Sequence, residues 1–348
     1  AALRDAMRGR VDAASSRIRL GGLDSVERKW NDCRRLILAG CGTAWHAALI
    51  GEYLFEELAR IPTEVEYASE LRYRNPIVDE NTVAVFISQS GETADTLAAL
   101  HEMRTKGATV LGIVNAVGST IARETDAGVY LHVGTEIGVA STKAFTGQLA
   151  TLAMMAIHIG RHRHLSSERT SEIIAELSAI PEKIEQALEL EDEVKSLVTR
   201  FADRDNWLFL GRGVNYPVAI EGALKLKEIS YIHAEGLPAA EMKHGPLALI
   251  DEDMPVVVVA SRDHTYEKVL ANIEEVCSRQ GQVIAFATER DARLERIAAE
   301  VMYVPSTLPI LSPLVTTVPL QLLAYHAAVF RGHDVDKPRN LAKSVTVE

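Results

Sequence analysis

Between an apolar run and a helical stretch lies Ile87-Ser88-Gln89-Ser90-Gly91-Glu92-Thr93. Three hydroxyls and an amide in so short a segment make a neutral anion cradle. Ser88, Ser90 and Thr93 can donate to phosphate oxygens, and the start of the following helix, read as Gly91 to Lys106, adds unpaired N–H groups and positive partial charge. N-capping by Ser90 is the plainer alternative, but a cap needs one hydroxyl and three are present. Glu221, Lys225 and Glu228 recur at i, i+4 and i+7 and so share one stripe of a helix. That stripe is ambiguous: Glu four residues before Lys is the favourable order for a surface ion pair, and by periodicity alone it reads as a solvated face. His244 stands in Glu241-Met242-Lys243-His244-Gly245-Pro246, where Gly and Pro stop a helical turn and leave the imidazole near a loop. Lys343 lies five positions from the end of the sequence, where a lysine is ordinarily solvated. His158 and His162 have metal-ligand spacing with His164 nearby, yet no carboxylate or cysteine completes a set, so a polar helix end and no bound metal are expected.

These residues need a scaffold, and the surrounding pattern supplies one. Arg35 to Ala39, Thr82 to Ile87 and Thr109 to Val114 read as buried strands, each followed by a helix: Ala44 to Arg60, Glu92 to Lys106, Ser119 to Glu124. Trp207 to Leu210, Pro255 to Ala260 and Gln282 to Ala287 begin a second series of the same kind. The alternation predicts parallel sheets covered by helices. Leu36 to Trp45 (LILAGCGTAW) lines up with Trp207 to Tyr216 (WLFLGRGVNY), and Thr82 to Ser88 with Pro255 to Ser261, which predicts a tandem repeat. Each copy carries a Gly-x-Gly turn, but Trp45 and Tyr216 occupy the place where a dinucleotide fingerprint needs a third small residue, so no nicotinamide cofactor is expected. At the position of the serine-rich loop the second copy has Ser261-Arg262-Asp263-His264, and Asp263 would repel phosphate; the anion site is expected in the first copy alone. Ser166 to Thr199, rich in Glu, Ile and Leu and punctuated by Pro181, predicts a connecting helical hairpin that holds the two domains firmly together.

The 348 residues are enough for two cores, and 47% hydrophobic with 24% charged residues is a globular composition. A net charge of −11 argues against a general nucleic-acid binder while leaving room for a local anion pocket. Apolar runs are short and interrupted, none near the ~20 residues that span a bilayer, so no membrane and a cytoplasmic address are expected. Cys33, Cys41 and Cys277 show neither metal spacing nor an even framework and are read as reduced thiols.

Taken together the segments resemble the isomerase part of the glucosamine-6-phosphate synthases, that is, the glutamine–fructose-6-phosphate aminotransferases. The resemblance runs over almost the whole chain. It is carried by Cys41-Gly42-Thr43, by Ser88 to Thr93, by Glu136 to Thr146 (EIGVASTKAFT), by Leu224 to Glu235 (LKLKEISYIHAE), by Lys243 to Ile250 (KHGPLALI) and by Pro338 to Glu348 (PRNLAKSVTVE). It implies an α/β fold of two tandem flavodoxin-like sugar-isomerase (SIS) domains, each a parallel sheet flanked by helices. The expected divisions are a helical segment at 1–21, the first domain with the phosphate site at 22–160, a helical connection at 161–200, the second domain at 201–332, and a tail over the active site at 333–348.

The same resemblance reverses the plain readings of two residues. It implies Glu228 as the base and Lys343 as the lysine that meets the open-chain sugar carbonyl. His244 would open the sugar ring and could reach the active site of the partner subunit in an expected homodimer, and Lys225 would line the pocket beside Glu228. Cys41, Gly42, Thr43, Ser88, Gln89, Ser90 and Thr93 would hold the phosphate, while Val139, Ser141 and the carbonyl of Ala342 would meet sugar hydroxyls. At Ala44 many relatives have serine, so one hydroxyl contact is absent or replaced by backbone. The implied substrate is fructose 6-phosphate, and the implied product glucosamine 6-phosphate, or glucose 6-phosphate without ammonia. The ammonia would come from a glutaminase domain that this sequence lacks, which implies one half of a longer enzyme. No cofactor is implied. The alternatives are another ketose/aldose isomerase of the same fold, against which the Lys343 motif argues, and a sugar-phosphate sensor, which would not need Glu228, His244 and Lys343 together.

Overall fold

The computed structural model describes residues 1–201 and 203–347; Ala202 and Glu348, which fall within the expected 201–332 and 333–348 segments, lie outside the described residues. The chain divides into two compact units. The first comprises Ala1–Ile137, Ser141–Ala179 and Ala342–Glu348, the second Gly138–Ala140 and Ile180–Leu341.

In the first unit the strands are β1 (Arg35–Gly40), β2 (Thr63–Tyr67), β3 (Thr82–Ser88), β4 (Thr109–Val114) and β5 (Ala127–Tyr130). The long helices are α1 (Thr43–Ala59), α2 (Ala94–Thr105) and α3 (Lys143–Gly160). The sheet runs β2-β1-β3-β4-β5 with every neighbour parallel. All seven residues of β3 and all six of β4 are buried, as continuous apolar strands must be when helices cover both faces. Ile37, Ala84, Phe86 and Val110 meet Leu100 and Met103 of α2 in the core on one face.

Helices α4 (Ser167–Leu188) and α5 (Glu191–Phe201) follow, and the division between the units falls within α4. The segment is helical, but Pro181 does not punctuate it: the proline sits inside α4, and the break comes at Glu189–Leu190. The second unit adds β6 (Asn206–Gly211), α6 (Tyr216–Ser230), β7 (His233–Pro238), β8 (Pro255–Ala260), α7 (Tyr266–Cys277), β9 (Gln282–Ala287), β10 (Glu300–Tyr303) and α8 (Pro313–Phe330). Its all-parallel sheet runs β7-β6-β8-β9-β10. This is the same order as in the first unit, so the repeat seen in the sequence is a repeat of topology, and both units have the expected flavodoxin-like order.

One expectation fails here. Pro309–Phe330 is long and apolar enough to cross a membrane by length and composition, although three prolines, several hydroxyls and His326 interrupt its apolar pattern. Most of it is buried in the second unit, where α8 packs along α6 and brings Leu320 against Gly222.

Candidate functional site

In an open parallel sheet a ligand site forms beyond the carboxyl ends of the two strands where the order reverses. In the first unit those strands are β1 and β3. Beyond β1, Gly42 adopts φ +56° and stands at the N-cap of α1, while Cys41 turns its thiol toward Thr96 Oγ1 at 3.8 Å. Burial pushes the Cys41 thiol up, with the Thr96 hydroxyl opposing. Thr43, half-buried, opens α1.

Beyond β3 the serine-rich loop is closely braced. Ser88 Oγ accepts the Gly91 N–H at 3.0 Å and shares a 3.0 Å hydrogen bond with Thr93 Oγ1. Ser90 Oγ accepts the Glu92 N–H at 3.1 Å. The Gln89 carbonyl accepts the N–H groups of Asn115 and Ala116, and the Glu92 carboxylate accepts that of Thr120 at 2.8 Å. Gly91 has φ +67°, and a Cβ there would collide with Ser119 Oγ. The helix begins at Ala94 rather than at Gly91, with Thr93 as the N-cap residue, and no side chain caps it. The capping alternative for Ser90 therefore does not hold; its hydroxyl closes a turn inside the loop. Of the Ser88–Thr93 pair only one proton can be spent on the other, which leaves a hydroxyl proton to give to an anion.

The end of the chain lies on this loop. Ser344 Oγ donates to Ser90 Oγ at 3.0 Å, and the Val345 carbonyl accepts the Ala94 N–H at 3.1 Å, taking one of the N–H groups that α2 would otherwise leave unpaired. Between Ala342 and Ser344, Lys343 Nζ donates to Glu136 Oε2 at 2.8 Å. Lys343 is 29% exposed and Glu136 only 4% by side chain. The solvated terminal lysine of the plain reading is thus replaced by an ion pair with a buried carboxylate. Glu136 is a residue the sequence reading missed. Its other oxygen accepts the N–H groups of Thr142 and Ala144 at the start of α3. Ser141, beside Thr142, has its Oγ buried without a hydrogen-bond partner, as a group set to meet a polar ligand would be.

In the second unit the charged stripe is not solvated. Glu221 is fully buried, Lys225 is 2% exposed and Glu228 22%. Lys225 Nζ lies 2.5 Å from Glu228 Oε2 and 3.6 Å from Glu221 Oε1, so one ammonium stands between two carboxylates along α6. Burial turns a pattern typical of a surface helix into an enclosed acid–base cluster. Elsewhere in this unit His244 is exposed, ending the 3-10 turns Ala239–His244 before Gly245 at φ +144°. Val139 donates its N–H to the Asp336 carbonyl at 3.0 Å. The structure thus brings Ser88, Gln89, Ser90 and Thr93 together with Lys343 in the first unit, and Lys225 with Glu228 in the second.

At the matching turn beyond β8, Asp263 Oδ1 accepts both the N–H and the hydroxyl of Thr265 at 2.7 Å, just before α7. A carboxylate of the chain itself closes the turn there. Among the described residues no group of three or more His, Cys, Asp or Glu converges in a way that could hold a metal ion. His158 and His162 only meet edge to face, with ring centroids 5.8 Å apart.

Fold and loop together define a tandem pair of flavodoxin-like domains with a hydroxyl-lined loop at the switch point of the first. The SIS-domain family matches residues 30–158 and 200–331, and the chain belongs to that family. Its similarity to particular members is high. It is 58% identical over 346 residues, 99% of the chain, to the glutamine–fructose-6-phosphate aminotransferase [isomerizing] of Chlorobaculum tepidum, and 55% identical over 347 residues to that of Bacteroides thetaiotaomicron. It covers 56% of each, so the chain spans about half the length of the curated relatives it matches. A solved structure, the C-terminal domain of glucosamine-fructose-6-phosphate aminotransferase from Francisella tularensis, is 38% identical with a TM-score of 0.91, covering 97% of this chain and 95% of that one. Within the SIS-domain family the chain therefore falls with the C-terminal domains of these aminotransferases.

Proposed function

We propose that the chain is the isomerase half of a glucosamine-6-phosphate synthase. It binds fructose 6-phosphate and, with ammonia supplied by a glutaminase domain, yields glucosamine 6-phosphate; without ammonia it interconverts fructose 6-phosphate and glucose 6-phosphate. The observation that carries this reading is the seating of the tail. Ser344 is bonded to the serine-rich loop and Val345 to the first residue of α2, which seats the neighbouring Lys343 at the end of that loop.

In the proposed sequence Thr43, Ser88, Gln89, Ser90 and Thr93, with the Cys41-Gly42 turn, anchor the phosphate and so fix the sugar for reaction. His244 moves a proton between ring oxygen and hydroxyl to open the ring, and its exposure suits delivery to a second copy of the chain in a homodimer. Lys343 attacks the C2 carbonyl to form an imine, which ammonia displaces. Glu228 then carries a proton between C1 and C2, held in place by Lys225. Val139, Ser141 and the Ala342 carbonyl meet sugar hydroxyls. The likeness to enzymes of sugar-phosphate metabolism supports a cytoplasmic location.

The test is incubation with fructose 6-phosphate in the absence of glutamine, with glucose 6-phosphate followed by a coupled assay. Turnover lost in both Lys343→Ala and Glu228→Gln supports the assignment. Saturable binding weakened by Ser88→Ala, with no turnover in the unaltered chain, favours a sensor or a half-enzyme that needs its other domain.

A further inference from the structure

We infer that Glu136 is the positioning residue and counter-ion of Lys343. This rests on the reading of Lys343 as the imine-forming lysine. Glu136 is buried, and its two oxygens do different work. Oε1 accepts the Thr142 and Ala144 N–H groups at 2.8 and 3.2 Å, where the positive end of the 18-residue α3 favours a carboxylate anion. Oε2 is turned away from the helix and accepts from Lys343 Nζ at 2.8 Å. Capping α3 would need only the first oxygen. The nearest lysine in sequence, Lys143, does not compete for the second; its Nζ donates to the Thr135 carbonyl at 2.6 Å. A negative charge fixed by a helix terminus is thus directed at a single amine 207 residues away in sequence.

The charge is useful throughout the proposed step. Lys343 begins as an ammonium. One proton passes from the nitrogen to the C2 oxygen of the open-chain sugar, which frees the lone pair that forms the N–C2 bond; a second follows as the C2–O bond breaks, and the oxygen leaves as water with two of the three nitrogen protons. The third stays on the protonated imine. Nitrogen is cationic before and after, so a carboxylate held against it stabilises both states and need not move. The same bond keeps the tail down, since Lys343 is flanked by Ser344 and Val345, which bind Ser90 and Ala94.

Two readouts separate this inference from the reading beneath it. The first is hydrogen exchange at the Ala94 amide, which the tail carbonyl protects. Glu136→Gln, which keeps an oxygen for the α3 cap, is expected to speed that exchange at least about ten-fold, to the level of Lys343→Ala, while Glu136→Asp retains at least part of the protection. The second is borohydride trapping of fructose 6-phosphate on the chain, read by mass. Glu136→Gln is expected to lower the trapped fraction about ten-fold or more with the dissociation constant for the sugar phosphate changed less than about two-fold, and Glu136→Asp to restore part of it. Exchange and trapping both unchanged in Glu136→Gln overturn the inference, as does a loss of trapping explained entirely by weaker binding. Trapping that persists in Lys343→Ala instead overturns the imine reading, while the effect of Glu136→Gln on Ala94 exchange would still report its hold on Lys343.

Discussion

Ser344 donates a 3.0 Å hydrogen bond to Ser90, a residue 254 positions earlier in the chain. The tail is thereby part of the serine-rich loop's own bonding, and the Ser90 hydroxyl, which accepts from both Ser344 and the Glu92 N–H, keeps its proton for another acceptor.

Removing that hydroxyl should weaken the ligand more than the fold. A hydrogen bond to a charged group contributes about 1.5–3 kcal/mol, so Ser90→Ala should bind fructose 6-phosphate roughly ten-fold or more weakly by calorimetry, with a melting temperature lowered by only a few degrees through loss of the bonds from Glu92 and Ser344. Unaltered affinity would remove Ser90 from the site.

Gly91 is fixed by geometry. Its φ of +67° and the collision of any Cβ with Ser119 Oγ leave no room for a side chain. Gly91→Ala should cost at least about 1–3 kcal/mol in chemical denaturation and abolish sugar-phosphate binding by displacing the loop.

The Glu221–Lys225–Glu228 cluster makes an asymmetric prediction. Lys225→Met leaves two carboxylates without their buried cation and should cost about 3–5 kcal/mol, whereas Glu228→Gln, at a partly exposed position, should cost far less while removing the proposed base. Equal destabilisation by the two would contradict the buried arrangement.

Burial holds the His158 imidazole below its ordinary value, with the neighbouring His162 adding to the effect. The unfolded chain therefore takes up a proton first as the solution is acidified, so the stability His158 contributes is complete above the unfolded value of about 6.5 and is lost as pH falls below it. The melting temperature should drop between pH 7 and pH 5, and His158→Phe should flatten that slope. A slope left unchanged by the substitution would assign the acid sensitivity to other groups.

Much of this was legible in the sequence, for physical reasons. Strands β1, β3, β4, β6, β8 and β9 are covered on both faces and so appear as unbroken apolar runs, and the repeat in LILAGCGTAW and WLFLGRGVNY carried the duplicated topology. The outer strands did not show themselves. Thr63–Tyr67, at a sheet edge, is half-buried along most of its length and reads TEVEY, which has no apolar run to find. The sequence suggests a start for α2 at Gly91 or Glu92, whereas the helix begins at Ala94 and the Glu92 carboxylate is spent on the Thr120 N–H. Helical spacing put Glu221, Lys225 and Glu228 on one face but could not say whether that face met water, since α8, which covers α6, lies almost a hundred residues on. Glu136 was quoted only as part of a motif. A glutamate shortly before a helix start is a signal for a capping carboxylate, but its second partner, Lys343, is brought to it only by the folded tail.

The central claim is that this chain moves a proton between C1 and C2 of a hexose 6-phosphate. It is tested most directly by incubating the chain with fructose 6-phosphate in D2O and following the C1 proton signals by NMR. The account predicts exchange of one C1 proton for deuterium in the unaltered chain and at least about a hundred-fold slower exchange in Glu228→Gln, on the scale of losing a general base. Exchange at an unchanged rate in Glu228→Gln would contradict it.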